Sequence, residues 1–93
     1  MKWSKMEQMG AVNKFYCKDT QTTYRYKCET WLYDKQGEVV GQVERWQATS
    51  GACTGSTYRP WVFYEGQAIW LQAQDSLKKS KDLVLDSFQR LHP

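Results

Sequence analysis

The sequence predicts an α+β domain, an antiparallel, mostly meandering sheet of four or five strands with a C-terminal helix packed on one face. Three stretches carry that reading. Thr22 to Gln47, TTYRYKCETWLYDKQGEVVGQVERWQ, holds two runs rich in β-branched and aromatic residues around Asp34-Lys35-Gln36-Gly37, the pattern of a hairpin. Trp61 to Ala73, WVFYEGQAIWLQA, repeats the pattern around Glu65-Gly66. The last segment, SLKKSKDLVLDSFQRLHP, spaces Leu77, Val84, Phe88 and Leu91 as one apolar stripe ahead of Pro93, which is how an amphipathic helix is written. Ninety-three residues suit one compact domain, residues 1–93, and are too few for two.

Taken in order, Lys2 to Met9 has room for one or two helical turns, with Trp3 and Met6 on one side and Gly10 ending it. Val12 to Lys18 alternates, and Asp19-Thr20-Gln21 would turn the chain into a strand at Tyr24. In the central hairpin, a four-residue tip pairs Tyr33 with Glu38, Trp31 with Val40, Lys27 with Glu44 and Arg25 with Trp46. The other face then sets Leu32 against Val39, Thr30 against Gly41 and Cys28 against Val43. Phe15 and Cys17 join Tyr24, Tyr26 and Cys28 on the inner face, with Cys17 opposite Tyr24, while Lys14, Tyr16 and Lys18 join Arg25 and Lys27 outside. Ala48 to Pro60, ATSGACTGSTYRP, reads as a long mobile connection. It is not a phosphate loop of the Walker type, because Gly55 is followed by Ser56 and Thr57 where lysine is required.

In the second hairpin a two-residue Glu65-Gly66 turn sets Phe63 against Ala68 and Trp61 against Trp70. One helix from Gln67 to Leu91 is the rival reading, since Trp70, Ala73, Leu77, Ser80, Val84, Phe88 and Leu91 also keep helical spacing. The hairpin is preferred because Asp75-Ser76 is a natural helix start.

Composition narrows function by exclusion. The net charge of +3 permits an acidic partner without demanding one. No apolar run resembles a signal peptide, and none approaches the ~20 residues of a membrane span, so the expected setting is the cytoplasm. Cys17, Cys28 and Cys53 lack the paired short spacing of a zinc or redox module. They are expected to be reduced in a monomer without metal or cofactor, Cys17 and Cys28 as small core residues and Cys53 out on the loop. His92, the single histidine, adjoins the terminal proline, a poor place for a catalytic dyad. Glu29 and Glu44 form a carboxylate pair on the outer face, but Lys27 and Arg25 beside them would keep both ionised and unsuited to general acid work. A non-enzymatic protein is expected.

What remains is a basic and aromatic sheet face. Lys14, Tyr16, Lys18, Arg25, Lys27, Trp31 and Trp46 are the residue types with which sheets stack unpaired bases and hold phosphates, and also those enriched where proteins dock. Arg25 and Lys27 could equally reach guanine edges if the sheet entered a major groove. Alternatively, Trp31 and Trp46 cover a second small core. Lys78, Lys79 and Lys81 crowd the first helical turns, opposing the helix dipole; they are either a steering patch or a solvated face.

In size, composition and sheet-helix pattern the chain resembles small single-domain proteins of bacteriophages and mobile elements, anti-CRISPR proteins among them. The resemblance implies a stoichiometric inhibitor that docks on a host protein or ribonucleoprotein complex, touching RNA or single-stranded nucleic acid and blocking target DNA from an RNA-guided machine. The alternative is a free-standing nucleic-acid-binding domain using the basic-aromatic face.

Overall fold

The computed structural model describes residues 1–8 and 13–92. Its elements are β1 (Lys2–Trp3), β2 (Lys14–Cys17), β3 (Thr22–Tyr33), β4 (Val39–Gly51), β5 (Ser56–Tyr64), β6 (Gln67–Trp70) and α1 (Leu77–Leu91). All strand pairs are antiparallel, in the order β1-β3-β4-β5-β6, and β2 shares with β1 the outer edge of β3. The fold is thus α+β as expected, with six strands because two short ones line one edge of a long one.

The helix begins where the sequence places it. Ser76 is extended, and its hydroxyl accepts from the Lys79 amide at 3.1 Å, an N-cap that satisfies an orphan donor of the first turn. The chain before it is the predicted hairpin: Phe63 pairs with Ala68 and Trp61 with Trp70. Glu65 and Gly66 both hold positive φ, 51° and 76°, the twist a two-residue turn needs to match its strands.

Helix α1 lies on β4 and β5. Its contact face is centred on Val84, fully buried with Leu32 and Val43, and flanked by Trp3, Val40, Tyr58, Leu71, Leu77 and Leu85. Gly41 makes this approach possible, because a side chain there would collide with Val84 Cγ1. Phe88, expected deep in the stripe, is instead half-buried and stacks on His92 with ring centroids 4.2 Å apart.

Three expectations are corrected. The segment from Lys2 is a strand, not a helix (Met9 lies outside the described residues): Trp3 sits across from Leu32, and the Ser4 hydroxyl accepts from the Trp31 amide at 3.0 Å. Tertiary burial and an open sheet edge outweigh a weak helical pattern. The stretch from Ala48 to Pro60 is mostly strand, and only Ala52 to Gly55 lies outside β4 and β5. Its small polar residues still pair, Ser56 with Gln47 and Thr57 with Trp46, because β4 offers an unpaired edge over its whole length. The third correction is the register of the central hairpin. The tip runs from Asp34 to Glu38, tied by Asp34 Oδ1, which accepts from the Gln36 and Glu38 amides at 2.9 Å each in the manner of an Asx turn. Tyr33 therefore faces Val39 and Trp31 faces Gln42. Register shifts follow between Leu32 and Tyr33, Tyr26 and Cys28, and Thr23 and Tyr24.

Candidate docking face

The shift at Lys27 decides what the two sheet faces display. Side chains alternate along a strand, so one inserted residue exchanges the faces of everything beyond it. With Lys27 bulged out, Tyr26 pairs with Trp46 and Arg25 with Gln47. The predicted site is accordingly divided. Trp31 and Trp46 belong to the face turned away from the helix. Lys14 and Arg25, cross-strand partners, and Tyr16, 58% exposed, lie on the helix side of the sheet, on β2 and the adjoining end of β3. Lys18 is exposed in the turn after β2 and Lys27 is exposed at the bulge.

The lysines of the helix find local partners. Lys78 pairs with Asp82 at 2.9 Å and Lys79 with Asp75 at 3.1 Å, while Lys81 Nζ lies 5.3 Å from the Trp3 ring centroid. The two ion pairs are exposed and contribute little, but they offset two of the three charges of the cluster. His92 is also accounted for locally: its ring closes the helix end, with Nδ1 3.0 Å from the Phe88 carbonyl and an edge-on contact to Tyr64 at 5.1 Å.

The face opposite the helix carries four of the five tryptophans in successive ladders. One ladder runs Trp31, Gln42, Trp61, Trp70, the next Glu29, Glu44, Arg59, with Glu7 bridged to Glu29 at the edge. Beyond come Tyr26 with Trp46, then Phe15 with Tyr24 and Ala48. Trp46 does not stand out from this surface as expected; it is only 6% exposed and anchors a second small core with Tyr24, Tyr26, Phe15, Cys17 and Ala48. Phe15 meets it edge-on at 4.9 Å and Tyr26 at 5.5 Å. The reading in which tryptophan covers a second core holds for Trp46. Cys17 belongs to that core and Cys28 pairs with Arg45 on the other face, so the two do not share an inner layer.

Glu29 and Glu44 share a face, as the sequence suggests, but they stand directly opposite each other across β3 and β4 where Lys27 was expected opposite Glu44. The donors that hold them are Gln42 Nε2, 2.9 Å from Glu29 Oε2, and Trp61 Nε1, 2.8 Å from Glu44 Oε1. Burial, then the Glu29 and Glu44 carboxylates, push the Tyr26 phenol well above its usual range, although no well-formed hydrogen bond reaches its hydroxyl.

Arg59 is the residue that sequence reasoning missed. Its guanidinium lies 4.7 Å from the Phe15 ring centroid, 4.8 Å from that of Trp70 and 5.6 Å from that of Trp46, a cage of three rings assembled from β2, β4 and β6 around a β5 side chain. Among the described residues no carboxylate comes within 4 Å of it; the ion pairs formed are all on the helix or just before it. The signal was the parity of the two predicted hairpins, which puts Arg59 two residues before Trp61 and opposite Glu44, once the register is known. A groove of about 230 Å³ opens beside it, lined by Phe15, Tyr24, Thr57, Arg59 and Trp70 with Cys17, Thr20 and Ala73. A larger cleft of about 620 Å³ lies at the other end of the sheet, between the hairpin tips, Phe88 and His92.

No helix among the described residues is long and apolar enough to cross a membrane, and no group of His, Cys, Asp and Glu there could hold a metal. Comparison with protein-family models, with curated proteins and with solved structures finds no match to this chain.

Proposed function

We propose that the protein is a non-enzymatic binding protein that docks on a partner protein through the sheet face opposite α1. The observation that carries this is the composition of that face: Trp31, Trp61 and Trp70 exposed or half-exposed around a single caged arginine, with Glu29 and Glu44 between them. Tryptophan, tyrosine and arginine around a partly desolvated centre are what protein hot spots are made of. A single-strand platform interleaves its rings with several cations that track the phosphates. Here two carboxylates stand among the rings, and Lys14 and Arg25 are on the other side of the sheet. The phage-type inhibitor, occupying a surface of a host nucleoprotein complex, is the finer form of this reading and is supported by the resemblance in size and pattern.

A second reading rests on a different observation. Lys14 and Arg25 are directly opposite like charges, an arrangement that weakens a strand pair, and among the described residues no carboxylate within 4 Å relieves it. Such a pair suits a phosphate backbone, and supports nucleic-acid contact from the helix side.

One experiment separates the two. Tagged wild type, Trp31→Ala, Trp61→Ala and Arg25→Glu are used to capture partners from the native host's lysate, with and without nuclease and over a range of salt. Docking through the tryptophan face predicts nuclease-resistant, salt-tolerant capture lost with either tryptophan and kept by Arg25→Glu. Capture that disappears with nuclease or Arg25→Glu and falls steeply with salt while both tryptophan variants retain it would overturn that reading.

A further inference from the structure

Resting on the proposed docking face, we infer that the Arg59 groove is the specificity site of that face: it takes one acidic side chain of the partner, an Asp or Glu flanked by an apolar residue. Three observations support this. Rings of Phe15, Trp46 and Trp70 hold the guanidinium, so its fork is fixed in place while no protein carboxylate occupies it. A preorganised guanidinium with free donors is suited to bidentate recognition of a carboxylate. Next to the guanidinium, Nε1 of the buried Trp46 also lacks a partner, its ring centroid 5.6 Å from Arg59, and buried donors without partners are rare in folded proteins.

Size and charge then choose the occupant. The groove, at about 230 Å³, falls short of the volume that ordinarily encloses a cofactor or drug-sized ligand, roughly 300–1,000 Å³. It has room for one side chain. Arg59 is the only charged residue lining it, and Glu44 follows in the same ladder with Glu29 beyond. A polyanion would run into those carboxylates, whereas one monoanion matches one guanidinium. Its apolar neighbour would lie against the exposed ring of Trp70, which is 43% exposed.

The test is an array of capped hexapeptides, each with one acidic residue among apolar ones, beside matched sets in which that residue is asparagine or glutamine, phosphoserine, or lysine. It is probed with the full-length protein as wild type, Arg59→Gln, Arg59→Lys and Trp31→Ala, each first checked by thermal melting. Expected is selection of acidic-apolar peptides, weakened roughly tenfold or more in the amide set and in Arg59→Gln, as losing a charge-assisted bidentate contact implies. Arg59→Lys should recover only part of it. If Arg59→Gln does not fold, the wild type decides alone: titration with 3-phenylpropionate should shift the Arg59 Nε–H and Trp46 and Trp70 indole N–H resonances saturably, and its amide should not. No acidic selection, a preference for phosphoserine, or equal binding by folded Arg59→Gln overturns the assignment, as does an equal response to the acid and the amide. Partner capture that is lost in Trp31→Ala but untouched in Arg59→Gln refutes the groove alone; capture indifferent to Trp31 and Trp61 refutes the docking face beneath it.

Discussion

Replacing Gly41 by alanine tests how the helix is seated, and therefore which sheet face is left free. In the interior of a strand this substitution ordinarily stabilises by about 0.5–1 kcal/mol, because the unfolded chain loses freedom. Gly41 is buried opposite Leu32, and an added Cβ would overlap Val84 Cγ1 while standing 3.4 Å from the Trp61 carbonyl and 3.5 Å from Leu32 Cβ. Val84 has 0% exposure, and a β-branched side chain in a helix is held to essentially one rotamer. It cannot swing aside, so the helix must lift. Overpacking of this kind costs about 1–3 kcal/mol, which reverses the ordinary sign. For a domain of this length each kcal/mol moves the melting temperature by roughly 4–8 °C. Val84→Ala alone removes two methyl groups at about 0.8 kcal/mol each and leaves a cavity, about 2–3 kcal/mol together. In the double variant the alanine at 41 enters the space that Val84 vacates, so its loss should not exceed that of Val84→Ala, a coupling of about 1–3 kcal/mol between the sites. Urea and thermal unfolding of the four proteins, followed by circular dichroism and tryptophan fluorescence, measures the cycle. A Gly41→Ala variant that melts at or above wild type, or strict additivity, would show that α1 does not rest on Gly41.

Two further substitutions test single buried hydroxyls. Ser80 faces the sheet at 0% exposure with no partner for Oγ; Ser80→Ala removes an unsatisfied group and improves helix propensity, so urea unfolding should show a gain of about 1 kcal/mol, and a loss would reveal a partner for that oxygen. The Tyr26 phenol, its pKa raised first by burial and then by Glu29 and Glu44, keeps its proton in the folded protein where the unfolded chain releases it above about pH 10. The folded state binds more protons there, so its stability is full below that pH and falls as pH rises through it. Tyr26→Phe should change stability at pH 7 by less than about 1 kcal/mol and raise the alkaline unfolding midpoint; an unchanged midpoint refutes the assignment.

Local rules were legible where one turn or cap settles an element. The Glu65-Gly66 hairpin and the helix start at Ser76 follow from residues that are hard to read otherwise, since positive φ at both turn positions and a hydroxyl cap are local requirements. The faces of β2 were also legible: Phe15 and Cys17 share a side with Tyr24, and Lys14 and Tyr16 share one with Arg25. The central hairpin was not, because its register depends on how the Asp34 side chain ties the tip and on bulges that no residue type announces. A tip one residue longer and a bulge near Val40 shift the pairing by two, which leaves each residue on its face. The bulge at Lys27 adds a single step, and a single step reverses a face. Arg25 and Lys27 were thereby parted from Trp31 and Trp46. The extended conformation of Ala48 to Ser50 was illegible for another reason: three small residues with only Thr49 favouring a strand make no strand pattern of their own, and they extend because β3 lies beside them.

The same bulge bears on what the protein can bind. Had the pairing run straight, Arg25 and Lys27 would have flanked the tryptophans, and the face would have matched an unpaired nucleic-acid strand in both charge and stacking. With Lys27 expelled from the ladder, the neighbours of the tryptophans are Glu29 and Glu44, each occupied by a donor of the face itself, Gln42 and Trp61. A phosphate chain laid across these rings would meet two fixed negative charges and only one cation. A protein surface bringing its own donors or a single carboxylate would meet complementary groups at each position. The two basic strand residues keep their charge on the other side, where under the proposed docking they would steer encounter without contacting the partner held by the tryptophan face.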